Sequence, residues 1–176
     1  ENRSLTIGYK QTISQPYIVA KMTELLISHT KGRGKIFKKV LELGSGCGYQ
    51  SAVLSYFCEQ VLAIERIKPL VMKSRENLSE LKINNVLFTH GDGFLDWDQS
   101  IKYDGVICAA APRQYPQELV NCLKVNSKIV IPVGDSKFQQ LSVITKTTKN
   151  EVTEDLHDEV AFVPMLPGKS LDGNDS

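Results

Sequence analysis

The chain has 176 residues and a formal net charge of +1, with 41% hydrophobic and 23% charged residues, which is the composition of one ordinary globular domain. Nearly balanced charge gives no general attraction to nucleic acid or to an anionic membrane, so neither is expected as a partner. The apolar runs are too short to span a bilayer and residues 1–4 lack the pattern of a signal peptide, so the secreted and membrane classes are not expected.

Apolar runs bounded by turn residues alternate with segments of helical spacing, which is typical of a parallel sheet with crossover helices. Ahead of the first run, a helix is predicted over 15–29, with Pro16 in its first turn and Ser14 in position to cap it. The remaining predicted elements, in chain order, are strand 39–43, helix 49–57, strand 60–65, a helix from Pro69, strand 86–89, strand 105–109, helix 116–123 and strand 128–133.

The pattern changes after Gly134, where the strand-like segments 141–145 and 160–163 follow without a helix between them. They predict an antiparallel hairpin that completes the sheet. The predicted fold class is therefore α/β: a Rossmann-like, doubly wound, mostly parallel sheet in a three-layer sandwich, with an antiparallel C-terminal hairpin. We expect one domain over residues 1–176, with a frayed polar tail at 170–176.

The four cysteines form no CxxC pair, and three of them lie in strongly apolar or helical segments. Buried, reduced thiols are therefore favoured over a disulfide framework, and a cytoplasmic location is expected. No HExxH pattern or other metal-ligand spacing is present, so no metal is expected.

The strongest local signal is a strand that leads into a glycine-rich turn and a helix, over residues 41–48 (LELGSGCG). Glycine permits positive φ and lets a ligand approach the backbone closely, although a tight strand-to-helix connection would use the same residues. Tyr49 stands where a dinucleotide fingerprint needs its third glycine, and no GKS or GKT follows. NAD and a phosphate-binding P-loop are therefore disfavoured.

Acidic residues follow the next two predicted strands. Glu65 ends the second strand, where it can accept from both hydroxyls of a ribose or can be a solvated terminus beside Arg66. Asp92, between Gly91 and Gly93, can accept from an adenine amino group or can form an Asx turn. Because the carboxyl ends of parallel strands meet at one sheet edge, these groups predict a ligand crevice. The glycines and two carboxylates suit an adenosine that carries a positive sulfonium better than a pyrophosphate.

Six sequence blocks carry a resemblance to one enzyme family. They are QTISQPY at 11–17, LELGSGCGYQ at 41–50, VLAIER at 61–66, HGDG at 90–93, YD at 103–104 with AAAP at 109–112, and FVP at 162–164. On these blocks, nearly the whole chain resembles the bacterial-type protein-L-isoaspartate O-methyltransferases, which are class I enzymes dependent on S-adenosylmethionine. The first block and the HGDG…YD…AAAP blocks are specific to that family, whereas the glycine-rich turn is shared by most S-adenosylmethionine enzymes.

The resemblance implies methyl transfer from S-adenosylmethionine to the α-carboxylate of isoaspartyl residues in damaged proteins, with S-adenosylhomocysteine as the product. It implies that Ser14 is the catalytic residue, within a substrate-binding segment made of Thr12, Ile13 and Ser14. The cofactor-binding residues that it implies are Glu42, Gly44, Ser45, Gly46, Gly48, Glu65, Arg66, Asp92 and Gly93. Residues 1–30 would then form a substrate-side loop and helix, and residues 36–169 the cofactor-binding sheet of a monomer.

The implied reaction needs no general base, because a carboxylic acid of pKa about 4 is already ionised at neutral pH. Ser14 would orient the substrate carboxylate through a hydrogen bond, and its alternative role is to cap the helix. His90, at a strand end, is expected to be structural. Two other functions stay open: a methyltransferase of the same fold acting on a small molecule, and a non-catalytic domain that binds a partner.

Overall fold

A computed structural model describes residues 5–28 and 35–173 of the chain. The elements found there, in chain order, are β1 (Leu5–Gly8), β2 (Gln11–Ile13), α1 (Pro16–Ile27), β3 (Phe37–Leu43), α2 (Tyr49–Ser55), β4 (Cys58–Glu65), α3 (Lys68–Glu80), β5 (Val86–His90), β6 (Tyr103–Cys108), α4 (Gln117–Cys122), β7 (Leu123–Gly134), β8 (Gln139–Lys146) and β9 (Val152–Glu159). Within these described ranges, no helix has the length and apolar character needed to cross a membrane.

Seven strands form one sheet in the order β5-β4-β3-β6-β7-β8-β9, while β1 and β2 form a separate antiparallel hairpin. The pairs from β5 to β7 are parallel, and β8 and β9 are added antiparallel. The chain runs outward from β3 to β5 and then returns to β6 on the other side of β3. This reversal opens a crevice at the carboxyl ends of the neighbouring strands β3 and β6. The predicted α/β class and the antiparallel C-terminal hairpin are confirmed.

Apolar side chains cover both faces of the central strands, since consecutive residues of a strand point to opposite faces. Val40 of β3 packs in a cluster with Met22 and Leu26 of α1, whereas the next residue, Leu41, packs in a cluster with Leu119 of α4. Both β3 residues are fully buried. A strand that is buried on both faces has a continuous apolar sequence, so the central strands could be predicted from their apolar runs.

The last strand does not lie where the sequence predicted it. The predicted strand 160–163 is wrong, because the strand that pairs with β8 is β9, at Val152–Glu159. All but one of the β9 residues are exposed, and its sequence is rich in acidic residues, so it lacks the alternation of a half-buried strand. The segment after β9 is held beside the sheet by the Gln139 side chain, which accepts from the Phe162 N–H (2.7 Å) and donates to the Phe162 carbonyl (3.0 Å).

Helix α1 begins at Pro16, and its N-cap is Gln15, which makes no side-chain cap bond. Ser14 lies one residue before the cap, so the expectation that Ser14 caps this helix is wrong. Residue 29 of the predicted helix is outside the described residues. The hairpin β1–β2 was not predicted; its turn passes through Gly8, Tyr9 and Lys10, all three of which have positive φ.

Ser170, expected at the start of a frayed tail, is fully buried. Its N–H donates to the Arg66 carbonyl (2.7 Å), and its carbonyl accepts from the Lys68 N–H (3.0 Å). His90 Nε2 lies 2.9 Å from the Arg66 carbonyl and 3.1 Å from the Ser170 carbonyl, so His90 has the structural position that was expected. Residues 170–173 are therefore anchored, while 174–176 lie outside the described residues.

Replacing Gly134 by alanine tests the tight turn from β7 into β8. Gly134 has φ +147°, and a Cβ there would collide with the Phe138 carbonyl oxygen and lie 2.8 Å from Gln139 Cα, both backbone atoms. Backbone strain and overpacking together should cost at least about 3 kcal/mol of unfolding free energy, measured by urea denaturation. In the matched control, Gly168→Ala, φ is +79° and the new Cβ would meet no atom of the described residues within 4 Å, so the substitution should cost about 1 kcal/mol. Equal losses in the two variants would contradict the steric account.

Candidate active site

A cavity of about 380 Å³ lies at the carboxyl ends of β3, β4 and β6. The volume is within the range of small-molecule sites, roughly 300–1,000 Å³. The β1–β2 hairpin lies across this cavity, and the segment after β9 closes one side of it. Most of its lining comes from five parts of the chain: Ile7 with 9–14, 43–47 at the end of β3, 64–67 at the end of β4, 108–110 at the end of β6, and 163–166 after β9.

The predicted glycine-rich turn forms the wall of the cavity after β3. Gly44, Gly46 and Gly48 have φ values of +80°, +55° and +88°, a backbone path that disfavours other residues. A Cβ on Gly46 would lie 3.2 Å from Ile7 Cδ1 of the hairpin, so the glycine leaves room where hairpin and turn meet. Helix α3 fixes the turn through the Asn77 side-chain amide, which donates to the Cys47 carbonyl at 2.9 Å. The Ser74 hydroxyl lies 3.0 Å from the Gly46 carbonyl and 2.6 Å from the Leu70 carbonyl of its own helix.

Glu65, at the end of β4, connects the glycine-rich turn to the start of α3. One carboxylate oxygen accepts from the Gly46 N–H and the other from the Ile67 N–H, both at 2.9 Å. Glu65 lines the cavity although it is only 5% exposed. Burial raises the pKa of this carboxyl group, and the two backbone hydrogen bonds oppose that rise. Each oxygen keeps a second lone pair for a further donor.

Glu42 lies beneath the turn and is not among the lining residues of the cavity. It is completely buried, and one of its oxygens accepts from the Ser51 hydroxyl at 2.5 Å. Its other oxygen has no hydrogen-bond partner among the described residues. Burial raises the pKa of Glu42 to about 7, the bond from Ser51 opposes the rise and the nearby Glu65 adds to it. Its role at the methionine end of a cofactor stays a prediction.

Asp92 and Gly93, although adjacent in sequence, differ in their access to the cavity. Gly93 lines the cavity, whereas Asp92 is buried behind it. The two carboxylate oxygens of Asp92 accept from the N–H groups of Phe94 (2.7 Å) and Gly168 (2.6 Å). The first bond forms the Asx turn that the sequence allowed, and the second connects Asp92 to the C-terminal segment. A contact from Asp92 to adenine stays a prediction.

The remaining predicted cofactor residues reach the cavity or shape it. Ser45 and Arg66 line it. Within the described residues, the buried Ser45 hydroxyl makes no hydrogen bond, so it is available to a ligand. Gly48 stands outside the lining, at the start of α2, where a Cβ would lie 2.7 Å from Leu78 Cδ1.

Thr12, Ile13 and Ser14 line the cavity on the side of α1. Thr12 and Ser14 also line a second space of about 450 Å³, which we call the groove. Ala109 and Val163 are common to both spaces. Ser14 therefore lies where the cavity meets the groove, at the boundary that the two spaces share.

Sequence reasoning missed most of the hairpin and the residues after the FVP block. Ile7, Tyr9 and Lys10 line the cavity, as do Met165 and Leu166. The apolar and polar alternation from Leu5 to Gly8 is a weak strand signal, and the three-residue strand β2 gives less. For Met165 and Leu166 the only signal was their position directly after a recognised block.

Comparisons with known proteins agree on one family. The sequence profile of the protein-L-isoaspartate(D-aspartate) O-methyltransferase family matches residues 1–170. A protein-L-isoaspartate O-methyltransferase from Pseudomonas paraeruginosa is 44% identical over 96% of this chain and 77% of its own length, and one from Methylobacillus flagellatus is 45% identical over 96% and 74%. The structure is also similar to that of a Plasmodium falciparum protein of this kind in complex with S-adenosyl-L-homocysteine, with a TM-score of 0.77 and 27% identity over 94% of this chain and 81% of that one.

Replacing Glu42 by glutamine tests its unusual protonation. The pKa of Glu42 is about 7 in the folded chain, against an ordinary value of 4.5, so the unfolded state ionises first as the pH rises. The contribution of Glu42 to the free energy of unfolding is therefore fully present below pH 4.5 and falls by about 3 kcal/mol as the pH approaches 7. Urea unfolding at a series of pH values gives the unfolding free energy of both proteins. The value of the parent minus that of Glu42→Gln should fall as the pH rises. An identical pH slope in the two proteins would contradict a protonated, buried Glu42.

Proposed function

The chain belongs to the protein-L-isoaspartate(D-aspartate) O-methyltransferase family, and from this premise we propose how its own residues serve the reaction. It transfers a methyl group from S-adenosylmethionine to the α-carboxylate of L-isoaspartyl residues in damaged proteins and leaves S-adenosylhomocysteine. The small-molecule and non-catalytic alternatives are set aside accordingly. One observation carries the assignment of roles: Ser14 lies where the cavity meets the groove.

The cavity is suited to hold the cofactor. Gly44 and Gly46 line the cavity with backbone and no side chain, although Ile7 packs beside Gly46. The unpartnered Ser45 hydroxyl offers a donor, and Glu65 offers lone pairs to ribose hydroxyls. Leu43 and Ile64 provide apolar wall beside these polar groups. When bound, S-adenosylmethionine supplies an electrophilic methyl group on a positive sulfonium.

The groove is suited to the substrate, and Ser14 positions the substrate through its hydroxyl group. The isoaspartyl carboxylate is ionised at neutral pH, so this chain needs no base to activate it. The Ser14 hydroxyl would donate a hydrogen bond to one carboxylate oxygen and aim the other at the cavity. Ser14 is free for this role because Gln15, not Ser14, is the N-cap of α1.

The chain also keeps water away from the reacting groups. A carboxylate and a sulfonium partly cancel each other's charge in the transition state, so water stabilises the separated charges more than the transition state. The β1–β2 hairpin over the cavity, with Ile7 against the glycine-rich turn, reduces that solvation. None of these residue roles requires a metal ion.

We also propose the cellular compartment, the oligomeric state and the partners of the chain. Cys47, Cys58, Cys108 and Cys122 are all free thiols, and all but Cys47 are buried, which favours a reducing compartment such as the cytoplasm. We propose that the chain acts as a monomer, because its described residues suffice to line both the cavity and the groove that the reaction requires. A net charge of +1 gives no general attraction to nucleic acid or to an anionic membrane, and damaged proteins are the partners that the proposed reaction requires.

Replacing Glu65 tests the cofactor site. Glu65→Ala should weaken S-adenosylhomocysteine binding by about 1–3 kcal/mol in calorimetry, because a charge-assisted bond to a ribose hydroxyl is lost. Glu65→Gln keeps the shape and one acceptor oxygen, so its loss should be smaller. Glu80→Ala, at the exposed end of α3, makes the same charge change away from the cavity and should bind like the parent. Parental affinity in Glu65→Ala would remove Glu65 from the cofactor site.

Replacing Ser14 tests the substrate site. Ser14→Ala should lower kcat/KM for an isoaspartyl peptide roughly 10- to 100-fold, the cost of losing a hydrogen bond to a charged group. Its thermal stability and its affinity for S-adenosylhomocysteine should stay near the parental values, because Ser14 does not cap α1. Ser79→Ala, at an exposed position of α3, is the matched control and should leave all three quantities unchanged.

Ser14→Asp gives the stronger contrast. A second carboxylate at this position would repel the substrate carboxylate in a partly desolvated site, so methylation should fall to background. A folded Ser14→Asp protein that methylates isoaspartyl peptide at the parental rate would refute the role given to Ser14.

A further inference from the structure

The groove that begins at Ser14 has one charged residue in its lining. Beyond the residues it shares with the cavity, the groove is lined by Gln15, Ile18, Glu159, Val160, Ala161 and Phe162. Among the described residues that line the groove, Glu159, the last residue of β9, is the only one with an acidic or basic side chain. A polypeptide that places one residue at Ser14 and extends along the groove therefore passes a carboxylate.

The charge of Glu159 is not neutralised by a close partner. Among the described residues, no lysine or arginine forms an ion pair with Glu159. Its neighbours on β9 include Glu154, Asp155 and Asp158, which add negative charge along the same strand. The basic residues Arg113 and Lys137 line an adjoining cleft, which Glu159 also lines, but neither of them lies in the lining of the groove.

The wall next to Glu159 has backbone groups that a peptide can use. The Val160 N–H donates to the Gln139 carbonyl at 3.0 Å, and Phe162 is bonded to the Gln139 side chain in both directions. Between them, the N–H and carbonyl of the exposed Ala161 make no hydrogen bond within the described part of the chain. An extended peptide can pair with such groups, which suits a polypeptide occupant better than a small molecule.

We propose that Glu159 is a specificity-determining residue that favours isoaspartyl sites with a lysine or arginine close by in the sequence and disfavours sites with an acidic neighbour. The inference rests on the proposed function, since it takes the isoaspartyl residue to lie at Ser14. An exposed pair of opposite charges changes kcat/KM by roughly two- to fivefold, and salt weakens the effect. Acidic neighbours experience repulsion of similar size.

The test uses isoaspartyl peptides that differ at one position, which holds lysine, glutamine or glutamate two residues before or after the isoaspartyl residue. The kcat/KM values of the full chain are measured at low and high salt. The parent should prefer lysine to glutamine and glutamine to glutamate on at least one side, with smaller ratios at high salt. Glu159→Gln should remove the ranking, and Glu159→Lys should reverse it. Glu154→Gln makes the same charge change on β9 outside the groove lining and should keep the parental ranking.

Two results would overturn the inference: the same ranking in the parent and in Glu159→Gln, or an equal change in Glu154→Gln, which would indicate a diffuse field of the acidic strand. Failure of the parent to methylate any of the isoaspartyl peptides would instead contradict the proposed function. Glu159 is exposed, so the variants should melt with the parent. If Glu159→Lys does not fold, the comparison between Glu159→Gln and Glu154→Gln decides.

Discussion

The site depends on one buried carboxylate that is bound by backbone N–H groups on both sides. Glu65 accepts from Gly46 in the turn after β3 and from Ile67 at the start of α3, so it fixes two neighbouring strand ends relative to each other. A carboxylate in this position costs desolvation, which its raised pKa reflects, and the two hydrogen bonds offset part of that cost. The cavity walls that follow β3 and β4 are therefore held by the same side chain that faces the cavity. Glu65 therefore holds the cavity walls together and is also the residue that we propose to bind the ligand.

The two ends of the described chain meet above this cavity. The hairpin β1–β2 lies across the glycine-rich turn, and Gly173, near the other end, packs so closely on the Tyr9 ring that a Cβ there would collide with it. Ser170 anchors the C-terminal segment to the β4–α3 connection through Arg66 and Lys68. The cover of the cavity thus depends on contacts between residues far apart in sequence. Ser14 follows this cover directly and lies where the cavity meets the groove.

The parts of the fold that could be predicted from the sequence were those with a local signal. Buried strands such as β3 have continuous apolar runs, and the glycines and Glu65 follow strand ends at a spacing that topology brings to one edge. The hairpin β1–β2 is too short and too exposed to show a period, and the acidic edge strand β9 hides its alternation. For Ser14 and Asp92 the sequence allowed a structural role and a ligand role, and the coordinates test only the structural one: Gln15, not Ser14, is the cap, and Asp92 makes the turn. Their roles toward substrate and cofactor stay predictions.

We expect the methyl acceptor to be a carboxylate of an isoaspartyl residue, because the chain offers an orienting hydroxyl at Ser14 and no base is needed there. The most direct measurement compares two peptides of one sequence, with isoaspartate or normal aspartate at the same position, after incubation with S-adenosylmethionine that carries a labelled methyl group. We predict label in the isoaspartyl peptide alone, released by mild alkali as expected of a carboxyl methyl ester. Label that resists alkali, or that enters both peptides equally, would contradict the account.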